Sequence, residues 1–325
     1  MKPQSKIEDT AQSDITVRPL QETELAAADR IMRLAFGTFI GLPDPMMFMG
    51  DADYVRSRWL ADPDSAFAAE VAGEVIGSKF ATNWGSVGFF GPLTIRPDFW
   101  DRGVGKRLME PIVELFDRWG TTHAGLFTFP HSQKHVGLYQ RFGFWPRFLT
   151  AIMSKPVEQT QSSSRWTRFS DVPGADRDGV LSACREVTDA IYEGLDVANE
   201  IRAVAAQNLG DTVLLWDDST LVGLAVCHIG PGTEAGSDVC YVKFGAARPG
   251  AGAEDHFGEL LDACEELASA QGVSRLRAGV NTARHEAYRH MLARQFRTDI
   301  QGVVMSRPNE AGYNRPDVYL LDDWR

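Results

Sequence analysis

The stretch GPLTIRPDFWDRGVGKRLMEPIVELFDRWG, residues 91–120, carries the strongest structural signal in the sequence. Its first five residues have the composition of a strand. An apolar series with helical spacing follows, formed by Leu108, Ile112, Leu115, Phe116 and Trp119. Between strand and helix lie residues 101–106, DRGVGK, which we call the glycine turn. The stretch therefore predicts a strand, a glycine-containing turn and a helix, in that order.

The glycine turn is suited to binding an anion. The first amides of a helix have no intrahelical partner and carry the positive end of the helix dipole. Gly103 and Gly105 lack the Cβ atoms that would keep a ligand away from the backbone, while Arg102 and Lys106 add positive charge. The alternative is a plain strand-to-helix turn, in which the glycines serve only the backbone geometry.

The sequence around this stretch occurs a second time further along the chain. Arg96-Pro97 aligns with Arg248-Pro249, an offset of 248 − 96 = 152, and AIMSKP at residues 151–156 aligns with VVMSRP at the same offset. This ungapped register superposes a strand end, a long helix, a strand, a second helix and a final strand. Because the order of elements is shared, the pattern indicates an internal duplication.

Upstream of the aligned region both copies follow one plan. Each begins with a short strand before an amphipathic helix, predicted at residues 23–36 and 176–192, and continues with two strands joined by a turn. These turns are predicted at Gly73-Glu74 and around Asp217-Asp218. The predicted organisation is a polar tail at residues 1–14, an N-terminal domain at 15–156, a Ser/Gln-rich linker at 157–165 and a C-terminal domain at 166–325.

The glycine turn resembles the signature of the GNAT superfamily of acyl-CoA-dependent N-acyltransferases, Gln/Arg-x-x-Gly-x-Gly/Ala between the fourth strand and the third helix. The match is Trp100-x-x-Gly103-x-Gly105, so the two small residues agree and the leading Gln/Arg does not. The resemblance implies an α/β (α+β) fold with two tandem GNAT-like domains, each a mixed, splayed β-sheet flanked by helices. It also implies acetyl-CoA as the acyl donor, bound by Leu93, Thr94, Ile95, Arg102, Gly103, Val104, Gly105 and Lys106.

A second segment, HSQKHVGLYQRFGFWPR at residues 131–147, is similar to the family's helix that ends Leu-Tyr-x-x-x-Gly-Phe. The resemblance places Tyr139 near the CoA sulfur as the catalytic acid that protonates the departing thiolate. The chemistry is reasonable, because a thiol has a pKa of about 8.5 and a nearby phenol can donate a proton as the thiolate leaves. The alternative is a tyrosine that serves only the core.

The fixed offset also tests the second copy for the same site. Arg102, Gly103 and Gly105 correspond to Glu254, Asp255 and Phe257, and Tyr139 corresponds to Met291. Two carboxylates and a bulky ring would repel a pyrophosphate and block its approach. The C-terminal copy is therefore predicted to be degenerate. The alternative is a local shift that brings Gly250, Gly252 and Tyr288 into use.

The general base and the acceptor site are less defined by the sequence. Direct attack by an amine requires a base, and the candidates are Glu70, His131 and His135. Residues 41–53, GLPDPMMFMGDAD, join the first two helical regions, which border the acceptor site in the family. Their methionines and Phe48 are candidates for an adaptable apolar pocket, and their aspartates for attracting a cationic amine. Ordinary packing and surface roles are the alternatives.

Composition narrows the possible partners. The net charge is −11, and residues 1–160 carry 17 Lys and Arg against 19 Asp and Glu, so the acidity lies in the second half. No nucleic acid partner is expected from such a charge, whereas a near-neutral first half is compatible with an anionic cofactor. No membrane association is expected, a cytoplasmic location is predicted, and a homodimer is possible.

The four cysteines lie in the second half, at spacings that match neither a disulfide framework nor a zinc site, so we predict buried free thiols and no metal. Two function classes remain. The first is an enzyme that transfers an acetyl group from acetyl-CoA to a primary amine of a small molecule or peptide. The second is a non-catalytic acyl-CoA-binding or scaffolding protein that has kept the fold.

Overall fold

The computed structural model of the chain describes residues 15–158 and 165–325, which form eight α-helices and thirteen β-strands. The predicted N-terminal tail and most of the predicted linker lie outside the described residues. Residue contacts divide the chain into two compact units. The first unit comprises residues up to 50, 54–82 and 90–118, and the second comprises 51–53, 83–89 and 119–325.

The secondary structure repeats in full. The first series is β1 (Thr16–Pro19), α1 (Leu25–Ile40), α2 (Val55–Ala61), β2 (Ala66–Val71), β3 (Glu74–Trp84), β4 (Val87–Ile95), α3 (Val104–Trp119), β5 (His123–Thr128), α4 (Gln133–Gln140) and β6 (Trp145–Pro156). The second is β7 (Trp166–Arg168), α5 (Arg177–Ile191), α6 (Ala198–Gln207), β8 (Gly210–Asp217), β9 (Thr220–Gly230), β10 (Gly236–Ala247), α7 (Ala253–Ala270), β11 (Arg275–Asn281), α8 (His285–Ala293) and β12 (Arg297–Arg307). One further strand, β13 (Leu320–Leu321), ends the chain. The predicted duplication and the mixed α/β fold class are confirmed.

In the first unit the strands follow the order β1-β2-β3-β4, and β2 is antiparallel to both β1 and β3. The helices bury one apolar face each, as their sequence periodicity predicts. In α1 the buried residues include Leu25, Ala28, Ile31, Met32 and Ala35. In α3 they include Leu108, Met109, Ile112, Leu115 and Phe116.

A lysine lies inside the core of the first unit. Lys79, on β3, is fully buried, with its Nζ 3.5 Å from the centroid of the Phe90 ring and beside the Met109 sulfur. Burial lowers the pKa of Lys79 well below its ordinary value of 10.5, because desolvation disfavours the ammonium form. Protonation therefore favours the unfolded chain. As the pH falls from the ordinary lysine pKa towards the lowered pKa, the unfolded chain takes up a proton at Lys79 that the native chain does not. The free energy of unfolding therefore decreases over this pH range.

We expect Lys79→Met to raise the free energy of unfolding by at least about 1 kcal/mol near pH 7, since one pKa unit corresponds to about 1.4 kcal/mol. The gain should be smaller near pH 9, because the native and unfolded chains then differ less in bound protons. Urea unfolding at both pH values measures the effect. Lys134→Met, at an exposed position of α4, is the control. Equal stabilities of the Lys79 variant and the parent protein would contradict the prediction.

The last strands of the two copies are exchanged in the second unit. β5 pairs in parallel with the start of β4, from Val87↔His123 to Phe89↔Gly125, and on its other side pairs antiparallel with β12. β6 pairs antiparallel with β12 and with β11. From β5 onwards the strand order is β5-β12-β6-β11-β10-β9-β8-β7. β12 of the second copy therefore pairs with β5 of the first, and β6 of the first copy pairs with β11 of the second. Because of this exchange, residues 119–156 belong to the same compact unit as the C-terminal half.

Helices α5 and α6 cover one face of this second sheet, and α7 and α8 cover the other. All four cysteines are free and buried, as predicted: Cys184, Cys227, Cys240 and Cys264. Burial raises the pKa of the Cys184 thiol to about 12, so this group is a protonated core residue at neutral pH. Within the described ranges no helix is long and apolar enough to span a bilayer.

Candidate functional site

The glycine turn enters α3 through two residues in the left-handed region. Asp101 has φ +65° and Gly103 has φ +78°, and α3 begins at the following residue, Val104. The amides of Lys106 and Arg107 donate back to the Gly103 carbonyl oxygen, at 3.1 and 3.4 Å. A positive φ is a conformation that favours glycine, so Gly103 has a backbone role as well as the predicted ligand-binding role.

The charge around the turn favours an anion. Arg102 and Lys106 are exposed, and the first turn of α3 contains no acidic residue. The nearby Asp98 carboxylate accepts from Arg96 Nε at 2.8 Å, which lowers the pKa of Asp98 and neutralises its charge locally. The Arg102 guanidinium lies over the Phe99 ring, with its Cζ 4.9 Å from the ring centroid. The charges of Arg102 and Lys106 therefore have the same sign as the helix dipole at this end of α3.

The end of β4 carries Leu93, Thr94 and Ile95, which were predicted to bind acetyl-CoA. Leu93 and Ile95 are half-buried, and Thr94 is buried, with its hydroxyl 3.3 Å from the Ser78 hydroxyl. The Trp100 indole donates to the Ile95 carbonyl oxygen at 2.8 Å. Trp100 occupies the position of the leading Gln/Arg in the signature, and its bond joins the residue before the glycine turn to the end of β4.

Sequence reasoning missed an arginine next to this strand. Arg58, on α2, is only 5% exposed and donates to the carbonyl oxygen of Gly91, the residue before Pro92. A buried arginine that binds a backbone carbonyl fixes the position of that segment. Nothing in the local pattern of α2 distinguishes Arg58 from the exposed arginines of other helices, because its role depends on a contact 33 residues away.

The predicted catalytic acid, Tyr139, belongs to the second unit. It lies near the end of α4, is 7% exposed, and is followed by the predicted Gly143, which has φ +82°. Burial raises the pKa of the Tyr139 phenol above its ordinary value. The hydroxyl therefore remains protonated around neutral pH, which is the state required of a proton donor. The predicted cofactor residues at the end of β4 and in the glycine turn all lie in the first unit.

The candidate bases occupy different environments. Glu70 lies on β2 and accepts from Arg18 Nε at 2.7 Å, so its carboxylate is held in an ion pair. His131 is exposed. His135 is partly buried, and desolvation followed by the neighbouring Lys134 and His131 lowers its pKa, which favours the neutral imidazole. The neutral imidazole is the form that can accept a proton.

The predicted acceptor segment is held by its own side chains. Asp44 accepts from the Met46 amide at 3.0 Å and caps a short 3₁₀ helix, while Phe48 stacks on Phe36 at 5.1 Å. Asp44 therefore has a capping role, and its role in attracting an amine stays a prediction. Met46 and Met47 are 39% and 65% exposed, so the methionines are accessible.

The end of the acceptor segment, residues 51–53, belongs to the second unit, where the C-terminal copy holds it. The Asp51 carboxylate accepts from the Ser237 amide at 2.8 Å, so it too is engaged. The Asp53 amide donates to the Thr233 carbonyl oxygen at 2.9 Å. The turn between β9 and β10 therefore fixes this end of the segment.

The C-terminal copy has no glycine turn at the 152-residue offset, although Gly252 immediately precedes α7. α7 begins at Ala253, one turn earlier than the 152-residue offset from α3 predicts, so helix replaces the turn. Glu254 and Asp255 lie in the first turn of α7, and Phe257 is fully buried. Met291, the counterpart of Tyr139, lies in the hydrophobic core.

Comparison with known proteins agrees with this architecture. Residues 29–144 match the model of the acetyltransferase (GNAT) family. No curated protein matches the chain. Among solved structures, the chain is similar to a protein from Pyrococcus horikoshii that is provisionally assigned as an acetyltransferase. The TM-score is 0.67 and the identity 12%, over 96% of this chain and 95% of that chain.

Two further structures share the fold over most of their length. A GCN5-related N-acetyltransferase from Sphaerobacter thermophilus gives a TM-score of 0.54 at 13% identity, over 90% of this chain and 95% of that chain. A tandem GNAT protein from the clavulanic acid biosynthesis pathway gives a TM-score of 0.53 at 12% identity, over 90% of this chain and 98% of that chain. At these identities the similarity establishes a shared fold that covers both halves of the chain.

Proposed function

Residues 29–144 belong to the acetyltransferase (GNAT) family, and from this premise we propose that the chain is an N-acetyltransferase that uses acetyl-CoA. The acceptor is a primary amine of a small molecule or peptide. The observation that carries the proposal is the glycine turn at the start of α3, where Gly103 has φ +78° and no acidic residue lies in the first helical turn. The predicted cytoplasmic location and homodimer stay predictions.

The residues of the N-terminal copy fit the cofactor. The α3 amides, with Arg102 and Lys106, would hold its pyrophosphate, and the backbone of residues 93–95 would bind its pantetheine. Acetyl-CoA supplies an activated acyl group as a thioester. Tyr139, whose phenol is kept protonated by burial, would donate its proton to the leaving thiolate. His135, the candidate whose imidazole is kept neutral, would accept the proton of the amine.

A thermal-shift titration with acetyl-CoA, followed by a thiol-release assay against a panel of amines, tests the proposal. Stabilisation by acetyl-CoA together with amine-dependent release of CoA would support an acetyltransferase. Stabilisation without release in the presence of any amine would favour the alternative, a non-catalytic acyl-CoA-binding or scaffolding protein. Absence of stabilisation would contradict the cofactor assignment in both versions.

We expect one acetyl-CoA per chain, because only the N-terminal copy has the glycine turn. Calorimetric titration measures the stoichiometry directly. In the C-terminal copy, Glu254 and Asp255 would place two carboxylates beside a pyrophosphate. Two equivalent sites per chain would contradict the prediction.

A further inference from the structure

The last residues of the chain are buried although they form little regular structure. β13 has no counterpart among the described elements of the N-terminal copy. Residues 318–324 are each no more than 9% exposed, including Leu320 and Leu321 at 0% and Trp324 at 3%. Irregular segments usually lie at the surface because buried backbone polar groups need partners, and we therefore examine the contacts of residues 319–324, which we call the terminal segment.

The terminal segment occupies a defined position beside β10. β10 and β11 run parallel only as far as Val242↔Ala278. Beyond that point β13 pairs with β10 instead, at Gly245↔Leu321 and Ala246↔Leu320, and the Ala247 amide donates to the Tyr319 carbonyl oxygen at 3.0 Å. Shifted by the 152-residue offset, residues 245–247 correspond to residues 93–95. These are the β4 positions whose backbone is proposed to bind pantetheine in the N-terminal copy.

One end of the terminal segment reaches the start of α7. The Tyr319 ring lies 5.6 Å from the Phe257 ring. Desolvation, followed by the negative charge of Glu254, raises the pKa of the Tyr319 phenol. The counterparts of Phe257 and Glu254 are Gly105 and Arg102 in the glycine turn. Tyr319 therefore packs against the first turns of α7, at the helix end that corresponds to the proposed pyrophosphate site. It contacts Phe257, one of the residues that replace the glycine turn.

The other end is held by buried polar groups. Asp322 accepts from Arg284 Nη2 at 2.6 Å and also from the Tyr313 hydroxyl. Arg284 is 0% exposed, so its charge requires this carboxylate. The two oxygens of Asp323 each lie 3.1 Å from the Tyr241 hydroxyl.

A glycine on β11 makes room for this end. A Cβ placed at Gly279 would lie 2.3 Å from the Cβ of Asp323, so a larger residue could not occupy this position without displacing the segment. The equivalent position in the N-terminal copy is Phe127. The two copies therefore differ at the positions that contact the terminal segment, and each difference accommodates it.

We propose that residues 319–324 act as a built-in ligand of the C-terminal copy. They occupy the site beside β10 and α7 that corresponds to the proposed acyl-CoA site of the N-terminal copy. The identification of this site rests on the proposed function of the N-terminal copy. The segment uses the contacts of a bound ligand: backbone pairing with one strand, a ring over the helix start, and carboxylates on buried donors. The C-terminal copy is then a domain stabilised by its own occupant rather than a second enzyme.

Cleavage of the chain before the terminal segment tests this idea. A recognition sequence for a specific protease is inserted between Asn309 and Glu310, which are both exposed, and the folded protein is then cut. We expect the released fragment to co-elute with the rest of the chain in gel filtration, since a ligand in a slot needs no covalent link. Mass spectrometry of the peak identifies it. Separation of the fragment under native conditions would overturn the proposal.

Hydrogen exchange on the uncut protein provides a test that does not depend on the insertion. Amides in the peptide that covers residues 319–324 should exchange slowly, like those of β10. Gly279→Phe, which installs the residue of the N-terminal copy, should speed exchange in that peptide by about tenfold or more. Gly179→Ala, at an exposed glycine with no atom near its Cβ position, is the matched control and should leave it unchanged.

Exchange at the rate of a free peptide in the parent protein would overturn the proposal, as would unchanged exchange in a folded Gly279→Phe variant. These measurements do not depend on acetyl-CoA. If acetyl-CoA fails to bind while the terminal segment stays protected and its fragment co-elutes, the proposed function fails and the buried segment remains. If acetyl-CoA binds while the cut fragment separates, the proposal for the terminal segment fails and the proposed function stands.

Discussion

Gly103→Glu is expected to weaken acetyl-CoA binding by about 100-fold or more, because it places a carboxylate where the pyrophosphate would meet the α3 amides. Charge-assisted hydrogen bonds to such amides contribute about 1.5–3 kcal/mol each to binding. The added carboxylate also repels the pyrophosphate, because the two groups carry charges of the same sign. Calorimetry or a thermal-shift titration measures the loss. The fold should survive, although glutamate at φ +78° adds about 1–2 kcal/mol of backbone strain that the sequence alone did not predict.

Gly73→Glu is the matched control for this experiment. Gly73 lies in the exposed turn between β2 and β3, has φ +84°, and has no atom within 4 Å of its Cβ position. The control therefore carries the same added charge and similar backbone strain in a different turn, between β2 and β3. It should bind acetyl-CoA like the parent protein. Equal affinities of the two glutamate variants would show that the glycine turn is not the cofactor site.

Tyr139→Phe should lower turnover by roughly 10²-fold while leaving acetyl-CoA affinity unchanged, because it keeps the ring and its packing and removes only the proton donor. Steady-state kinetics with the amine identified in the thiol-release assay measures turnover. The phenol pKa is raised by burial, so the contribution of Tyr139 should stay constant across neutral pH.

Tyr288→Phe is the control in the C-terminal copy. Tyr288 is partly buried, packs on the core of that copy, and lies one turn before Met291, the counterpart of Tyr139. Its loss should barely change turnover. A larger decrease for Tyr288→Phe than for Tyr139→Phe would mean that the active site had been assigned to the wrong copy.

Local structure was largely predictable from local pattern. The helix predicted at residues 176–192 is observed as Arg177–Ile191, and the turn predicted around Asp217-Asp218 separates β8 from β9. The helix predicted at residues 23–36 begins with a short 3₁₀ turn and runs on to Ile40. Apolar periodicity identifies the buried face of an element, but its ends depend on capping and on neighbouring contacts.

The pairing of strands was not predictable in the same way. β6 and β12 have similar sequences at a fixed offset, so the sequence pattern alone does not distinguish them as partners of β5. The choice of partner is decided by contacts between residues far apart in sequence, such as Val303↔Thr128. The burial of the terminal segment was missed for the same reason, because Asp322 and Asp323 resemble ordinary charged surface residues in the sequence.

The candidate site was predictable where a residue type is required by chemistry. The glycine turn was recognised because only small residues allow an anion to approach the α3 backbone. Arg58 and the Trp100 bond to Ile95 were not recognised, because arginine and tryptophan serve many roles and neither position carries a spacing signal. Asp44 and Asp51 show the converse, since acidic composition alone does not reveal which carboxylates also accept backbone hydrogen bonds.

The exchanged strands determine when the protein can finish folding during synthesis. β5 ends at Thr128, yet its partner β12 begins only at Arg297, so the ribosome must add more than half of the chain before that edge is covered. Translation at about 5–20 residues per second makes this an interval of roughly ten seconds or more. During that time the open edge of β5 could pair with another nascent chain, so we expect chaperone binding to concentrate on translation intermediates shorter than about 300 residues.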